Sequence, residues 1–119
     1  MKKYITRLED VPTYTPPGHS QTVNRRLLGP GPSGSERFEV VYGQIEYGGQ
    51  ADAHAHDGCE QAFFVLDGKA VVEIDGISEV VGPDDFVYLP QRSLHRVTPL
   101  AGRPLKLFII YAPPLASAK

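Results

Sequence analysis

Short apolar runs alternate with clusters of Gly, Pro and Asp along most of this chain. No segment sustains the 3.6-residue apolar period of an amphipathic helix. The pattern predicts many short strands joined by turns, and hence an all-β sandwich or barrel. The first clear strand is expected at Arg37–Tyr47, broken by Gly48-Gly49, with a short one at Ala53–His56. Gln61–Leu66 follows, and the turn Asp67-Gly68 should return Lys69–Ile74 as its hairpin partner. Asp75-Gly76 is a second turn of the kind that two-residue hairpins favour. Ile77–Val81, Phe86–Leu89, His95–Pro99 and Leu105–Tyr111 complete the set, and Pro113-Pro114 ends regular structure.

Before the first strand, residues 1–36 read as an irregular N-terminal arm. It carries five prolines and ends in a Gly/Pro/Ser loop, Gly29 to Ser35. Within it, Leu27-Leu28 should form a strand packed on the body or on a second subunit. The expected division is an arm over 1–36, a barrel over 37–114 and a tail over 115–119.

Composition narrows the function classes. The 119 residues suit one domain, and 41% of them are hydrophobic. Twelve basic and 14 acidic residues are interspersed, for a net charge of −2, which argues against nucleic acid as a partner. No apolar run approaches the roughly 20 residues that cross a bilayer, so no membrane association is expected. The start of the chain lacks an apolar signal region, and the single Cys59 cannot form an intrachain disulfide. Both suit a cytoplasmic protein. Cys59 itself reads as a turn residue.

Candidate chemistry centres on His54-Ala55-His56-Asp57-Gly58-Cys59-Glu60-Gln61. In a strand, residues two apart share a face, so His54 and His56 can point together, with His95 brought in by the fold. Three imidazoles suit one divalent transition metal: Zn, Fe, Ni, Co or Mn. The fourth donor is Glu60 or Gln61. Alternation lets only one face inward, but their same-face partners, Ala62/Phe64/Leu66 and Phe63/Val65, are all apolar. Periodicity therefore leaves the choice open.

These residues resemble the first motif of the cupin family, G-x5-H-x-H-x3–4-E-x6-G. It runs from Gly48 or Gly49 through His54, His56 and Glu60-Gln61 to Gly68. Counting back from Gly68 selects Gln61. The second motif is looser: Pro90 and His95 match, while Asp84, Arg92 and Pro99 replace two glycines and an asparagine. The resemblance spans roughly residues 37–111. It implies a double-stranded β-helix (a jelly-roll barrel), a homodimer, and a metal held by His54, His56, Gln61 and His95.

An amide in place of a carboxylate leaves the site one charge more positive and favours an anionic small-molecule ligand. Cupins with a His/His/Gln/His site include enzymes that open unsaturated uronic acids. The resemblance thus implies a Lewis-acid isomerase, ring-opening or lyase reaction on a polar or carboxylated metabolite. The alternatives are an Fe/Mn dioxygenase of a phenolic or diketone substrate, and a ligand-binding cupin without turnover. Candidate acid–base groups are Glu60, His19 and Tyr88. Each has a plainer reading: Glu60 as a surface ion pair, His19 as a loop residue, Tyr88 as core. Candidate ligand contacts are Arg92, Phe63 and Phe108, against turn and core roles.

Overall fold

The computed structural model describes residues 4–31, 34–51 and 55–115. Among them are one 3-10 turn, Leu8–Asp10, and nine strands: β1 (Thr13–Tyr14), β2 (His19–Leu28), β3 (Glu39–Ala51), β4 (Glu60–Asp67), β5 (Ala70–Ile74), β6 (Ile77–Val81), β7 (Phe86–Leu89), β8 (His95–Pro99) and β9 (Leu105–Ala112). They build two antiparallel sheets, one in the order β1-β2-β3-β9-β4-β7 and one in the order β6-β5-β8. The result is an all-β jelly-roll fold.

Side-chain alternation puts one face of each sheet into the core. Val41, Ile45, Phe63, Val65, Leu89, Leu105, Leu107 and Ile109 come from the larger sheet, and Ala70 and Val72 from the smaller. On β4 the inward set is Gln61, Phe63 and Val65, while Phe64 and Leu66 are exposed on the outer face. Burying the inner set removes the ambiguity that periodicity left: one register buries Phe63 at 2% exposure, the other strands it in water.

Four local expectations change. The arm is not irregular throughout, because β2 pairs with β3 over most of its length and β1 pairs with β2. Gly48-Gly49 does not end β3 but sits in a bulge, where the β2 partners jump from Thr22↔Ile45 to Ser20↔Gln50. Ala55 and His56 are not in a strand, and residues 52–54 lie outside the described residues. Finally, β5 is not the hairpin partner of β4. The chain crosses from one sheet to the other at Gly68, and β5 pairs with β6 and β8. Gly68 has φ of 80°, and a Cβ there would lie 2.6 Å from the Pro104 carbonyl oxygen, so glycine alone fits this crossing.

The Asp75-Gly76 turn joins β5 to β6 as expected, with φ of 48° and 85°, the type I′ geometry that matches strand twist. Two positions where the cupin pattern has glycine, Asp84 and Arg92, have φ of 73° and 66°. The backbone keeps the conformation glycine favours even though the side chains differ.

Candidate metal and ligand site

Strand register lays out the site. On the inner face of the larger sheet, Glu39, Tyr111 and Gln61 are direct cross-strand neighbours on β3, β9 and β4. Neighbours in such a row have Cβ atoms about 5 Å apart. In the next inner rows lie Val41, Ile109 and Phe63, then Asn24, Gly43, Leu107 and Val65. Gly43 offers no side chain beside Asn24 and Ile109. Over this face opens a cavity of about 410 Å³, lined by all three residues of the polar row and by His19, His56 and His95.

His95 opens β8 in the facing sheet and is buried. Its Nδ1 lies 3.2 Å from the Ser93 carbonyl oxygen. With the proton on Nδ1, that bond leaves Nε2, itself buried, as the lone-pair nitrogen. The His56 segment is tied to the turn before β8: Arg92 N–H donates to the His56 carbonyl at 2.7 Å, and Gly58 N–H to Gln91 Oε1 at 3.1 Å. The His56 and His95 ring centroids lie 5.8 Å apart, and the His56 and Tyr111 rings form a T-shaped pair with centroids 6.2 Å apart.

At the opposite end of the polar row, Glu39 is 2% exposed. Its Oε2 accepts from Arg26 Nε at 2.6 Å and its Oε1 from the Leu115 N–H at 2.9 Å. The Arg26 guanidinium lies over the Tyr14 ring, 5.1 Å from its centroid. Burial raises the Tyr111 phenol far above its usual range, with Tyr14 and Glu39 adding to the effect, so Tyr111 stays protonated.

The structure brings His56, Gln61, His95 and Phe63 to one cavity. His54 lies outside the described residues. His19 is not a plain loop residue: it starts β2 and, with Pro16, Pro17 and Gly18, lines the same cavity. The candidates Glu60, Tyr88, Arg92 and Phe108 are placed elsewhere. Glu60 and Tyr88 are exposed and hydrogen-bonded to each other on the outer face, since Glu60 has the opposite parity to Gln61. Phe108 faces outward across from Phe64 and Tyr42. Arg92 is exposed beside Asp57, 3.5 Å away. Cys59 is buried, with its thiol donating toward the Glu60 and Pro113 carbonyls.

Sequence reasoning missed Arg26, Glu39, Tyr14 and Arg96, all of which line the cavity. The first three lie in the segment read as an arm or at the edge of a strand, and no short motif marks them. The signal that could have found them is an inward-facing charge in an otherwise apolar register, such as Glu39 two residues before Val41.

The donor set fits a divalent transition metal. Gln61 Oε1 is buried with no hydrogen-bond partner, an arrangement that costs about 1–3 kcal/mol unless something else satisfies it. With metal–nitrogen bonds of about 2.1 Å, each imidazole centroid stands roughly 3 Å from the ion, and the 5.8 Å between His56 and His95 falls within that span. Among the described residues no three His, Cys, Asp or Glu side chains cluster. One of the three donors here is an amide.

The cupin domain family matches residues 41–111. A Mycobacterium tuberculosis protein named beta-D-galactosidase Rv1717 is 33% identical over 112 residues, covering 94% of this chain and 96% of that one. Among solved structures, a predicted oxalate decarboxylase from Thermotoga maritima superposes with a TM-score of 0.81 at 13% identity, covering 92% of this chain and 98% of that one. An RmlC-like cupin from Shewanella frigidimarina gives 0.78 at 18% identity, with 94% and 92% covered.

Proposed function

This chain belongs to the cupin domain family, and on that premise we propose that it is a metal-dependent enzyme acting on a sugar acid or similar polar, carboxylated metabolite. One observation carries this reading: two imidazoles and an unsatisfied buried amide oxygen face one cavity. His56, Gln61 and His95, together with His54, are the residues that would hold the metal. When bound, a divalent metal there supplies Lewis-acid polarisation of a carbonyl or hydroxyl. The set is uncharged, so the metal's positive charge stays uncompensated and favours an anionic substrate.

The protein's own groups divide the remaining work. The Ser93 carbonyl fixes the His95 tautomer. Phe63, Ile45, Leu107 and Ile109 give the cavity an apolar wall that strengthens polar contacts within it. Tyr111 lines the cavity and, held protonated by burial, can donate a hydrogen bond to a substrate oxygen. His19 on the cavity wall is the candidate acid–base group. Reaction classes that fit are isomerisation, ring opening and elimination.

The similarity to a protein named as a galactosidase favours a second reading, hydrolysis of a β-galactoside. Most glycosidases use two carboxyl groups flanking the bond. Among the described cavity-lining residues one carboxylate is found, Glu39, and it is committed to Arg26. The sugar therefore transfers better than the reaction.

The test begins with metal analysis of the native protein, followed by turnover of a 4,5-unsaturated uronate and of a β-D-galactoside with oxygen uptake recorded. The expected result is one bound divalent metal and loss of the uronate chromophore without oxygen use. Oxygen consumption would identify a dioxygenase, and galactoside cleavage the second reading. Metal with no turnover of either would leave a binding module.

A further inference from the structure

A buried carboxylate is costly to keep and needs strong partners. Glu39 has two, Arg26 and the Leu115 N–H. The cationic partner, however, is not buried with it: the Arg26 side chain keeps 44% of its surface exposed and lines the cavity. The Nε contact to Glu39 and a hydrogen bond to Tyr14 leave other N–H donors on the five-donor guanidinium. Tyr14, whose ring lies under the guanidinium carbon and which also hydrogen-bonds to Arg26, restrains the orientation. Glu39 and Tyr14 thus hold a planar cation at the cavity in a set position, which is the preorganisation that oxyanion recognition requires.

Charge balance points the same way. The described cavity-lining residues include two guanidiniums, Arg26 and Arg96, against the single carboxylate of Glu39. Position sets the length of the ligand. Glu39 and Gln61 are two strands apart in one row, so the Arg26 end and the metal-donor end are separated by about 10 Å. A monosaccharide with its substituents is of that size.

We propose that Arg26 recognises a carboxylate on the ligand at the end of the cavity away from His56, Gln61 and His95, with Glu39 as its positioning residue. The ligand class is a single-ring sugar acid whose carboxylate lies opposite its reacting end. The proposal rests on the cavity being a small-molecule site, as argued above. It also departs from a simpler arrangement, in which the ligand's carboxylate would sit on the metal donors.

The probes are D-galacturonate and D-galactose, which differ in having a carboxylate or a hydroxymethyl group. Each is titrated by calorimetry into metal-loaded wild type, Arg26→Gln and Arg26→Lys, with a thermal melt of each variant. Wild type should prefer galacturonate. Arg26→Gln should lower galacturonate affinity about tenfold or more and leave galactose within about twofold, because a charge-assisted bond is lost only with the acid. Arg26→Lys should recover part of the loss, since it keeps the charge but not the planar fork. If Arg26→Gln fails to fold with Glu39 uncompensated, the double variant Arg26→Gln/Glu39→Gln removes both charges and carries the same expectation.

Equal binding of the two sugars by wild type would overturn the proposal. So would binding of neither, or an equal loss of both in Arg26→Gln. A preference that survives in Arg26→Gln but vanishes in Gln61→Glu would instead place the carboxylate on the metal donors. Because these are binding measurements, a galacturonate preference without turnover of any substrate would sink the enzymatic reading and leave this one standing.

Discussion

Two glutamates on opposite faces of the same sheet show how this site is built. Glu60 stands beside the metal motif in sequence, yet it is exposed and shares a hydrogen bond with Tyr88 on the outer face. Glu39 belongs to no motif, yet it is buried in the row that contains Tyr111 and Gln61. One residue of parity separates Glu60 from Gln61 and decides which reaches the cavity. Adjacency in sequence is therefore a poor guide to the site, whereas adjacency across strands is a good one.

The largest effect should come from the inner face. Gln61→Ala removes a proposed metal donor and is expected to weaken metal binding by at least the order of 10²-fold, since even residues that only support a ligand cost 10–100-fold. Gln61→Glu should keep the metal and lower galacturonate affinity far less than Arg26→Gln does, because the ligand carboxylate is proposed to sit at the Arg26 end, about 10 Å from the added charge. Competitive metal titration and a galacturonate titration check the two. If Glu60→Ala lost metal as Gln61→Ala does, the assignment of faces would be wrong.

Tyr111 tests the same row through pH. Its folded phenol titrates far above the unfolded value near 10, so the folded state retains a proton that the unfolded state releases. Stability from this group is complete below about pH 10 and declines as pH rises, by up to about 1.4 kcal/mol per pH unit. Tyr14 and Cys59 are shifted upward as well, both chiefly by burial. Urea melts from pH 9 upward should thus show a shallower alkaline loss for Tyr111→Phe than for wild type, not its abolition. Identical slopes would mean that Tyr111 reaches solvent.

Much of the fold is legible in the sequence because turn chemistry and alternation act locally. Ile77–Val81, Phe86–Leu89 and His95–Pro99 come out with the boundaries their flanking Gly, Pro and Asp residues imply. Other features depend on distant chain. The crossing at Gly68 looks like a hairpin turn until β9 occupies the pairing edge that β5 would have taken. β2 is obscured by polar residues, and its order comes from pairing with β3 rather than from its own apolar content. The cavity splits the same way. Gln61 and His95 are marked by motif spacing. Arg26, Glu39 and Tyr14 meet only through register, which single-chain patterns do not encode.

Arg92 offers a smaller and purely conformational test. It has φ of 66°, in the left-handed region where a non-glycine residue costs roughly 1–2 kcal/mol. Its exposed contact with Asp57 at 3.5 Å offsets little of that. Arg92→Gly should be stabilising by about 1 kcal/mol, less the entropy that glycine adds to the unfolded chain. Metal content should not change, since the Arg92 N–H to His56 bond is a backbone bond and survives. Loss of metal would show that the side chain matters to the site.

The smallest effect belongs to the outer face. The hydrogen bond from Tyr88 to Glu60, with the carboxylate's charge beside it, raises the Tyr88 phenol above its ordinary range. Glu60→Gln should bring the Tyr88 titration back down, visible as tyrosinate absorbance appearing at lower pH. Metal content, galacturonate affinity and melting temperature should stay at wild-type values, because a surface pair on this face touches neither core nor cavity. Tyr88→Phe should be equally silent in all three. A change in metal or ligand binding in either variant would mean that the two faces are coupled through β4, and that the separation between Glu60 and Glu39 is one of position but not of function.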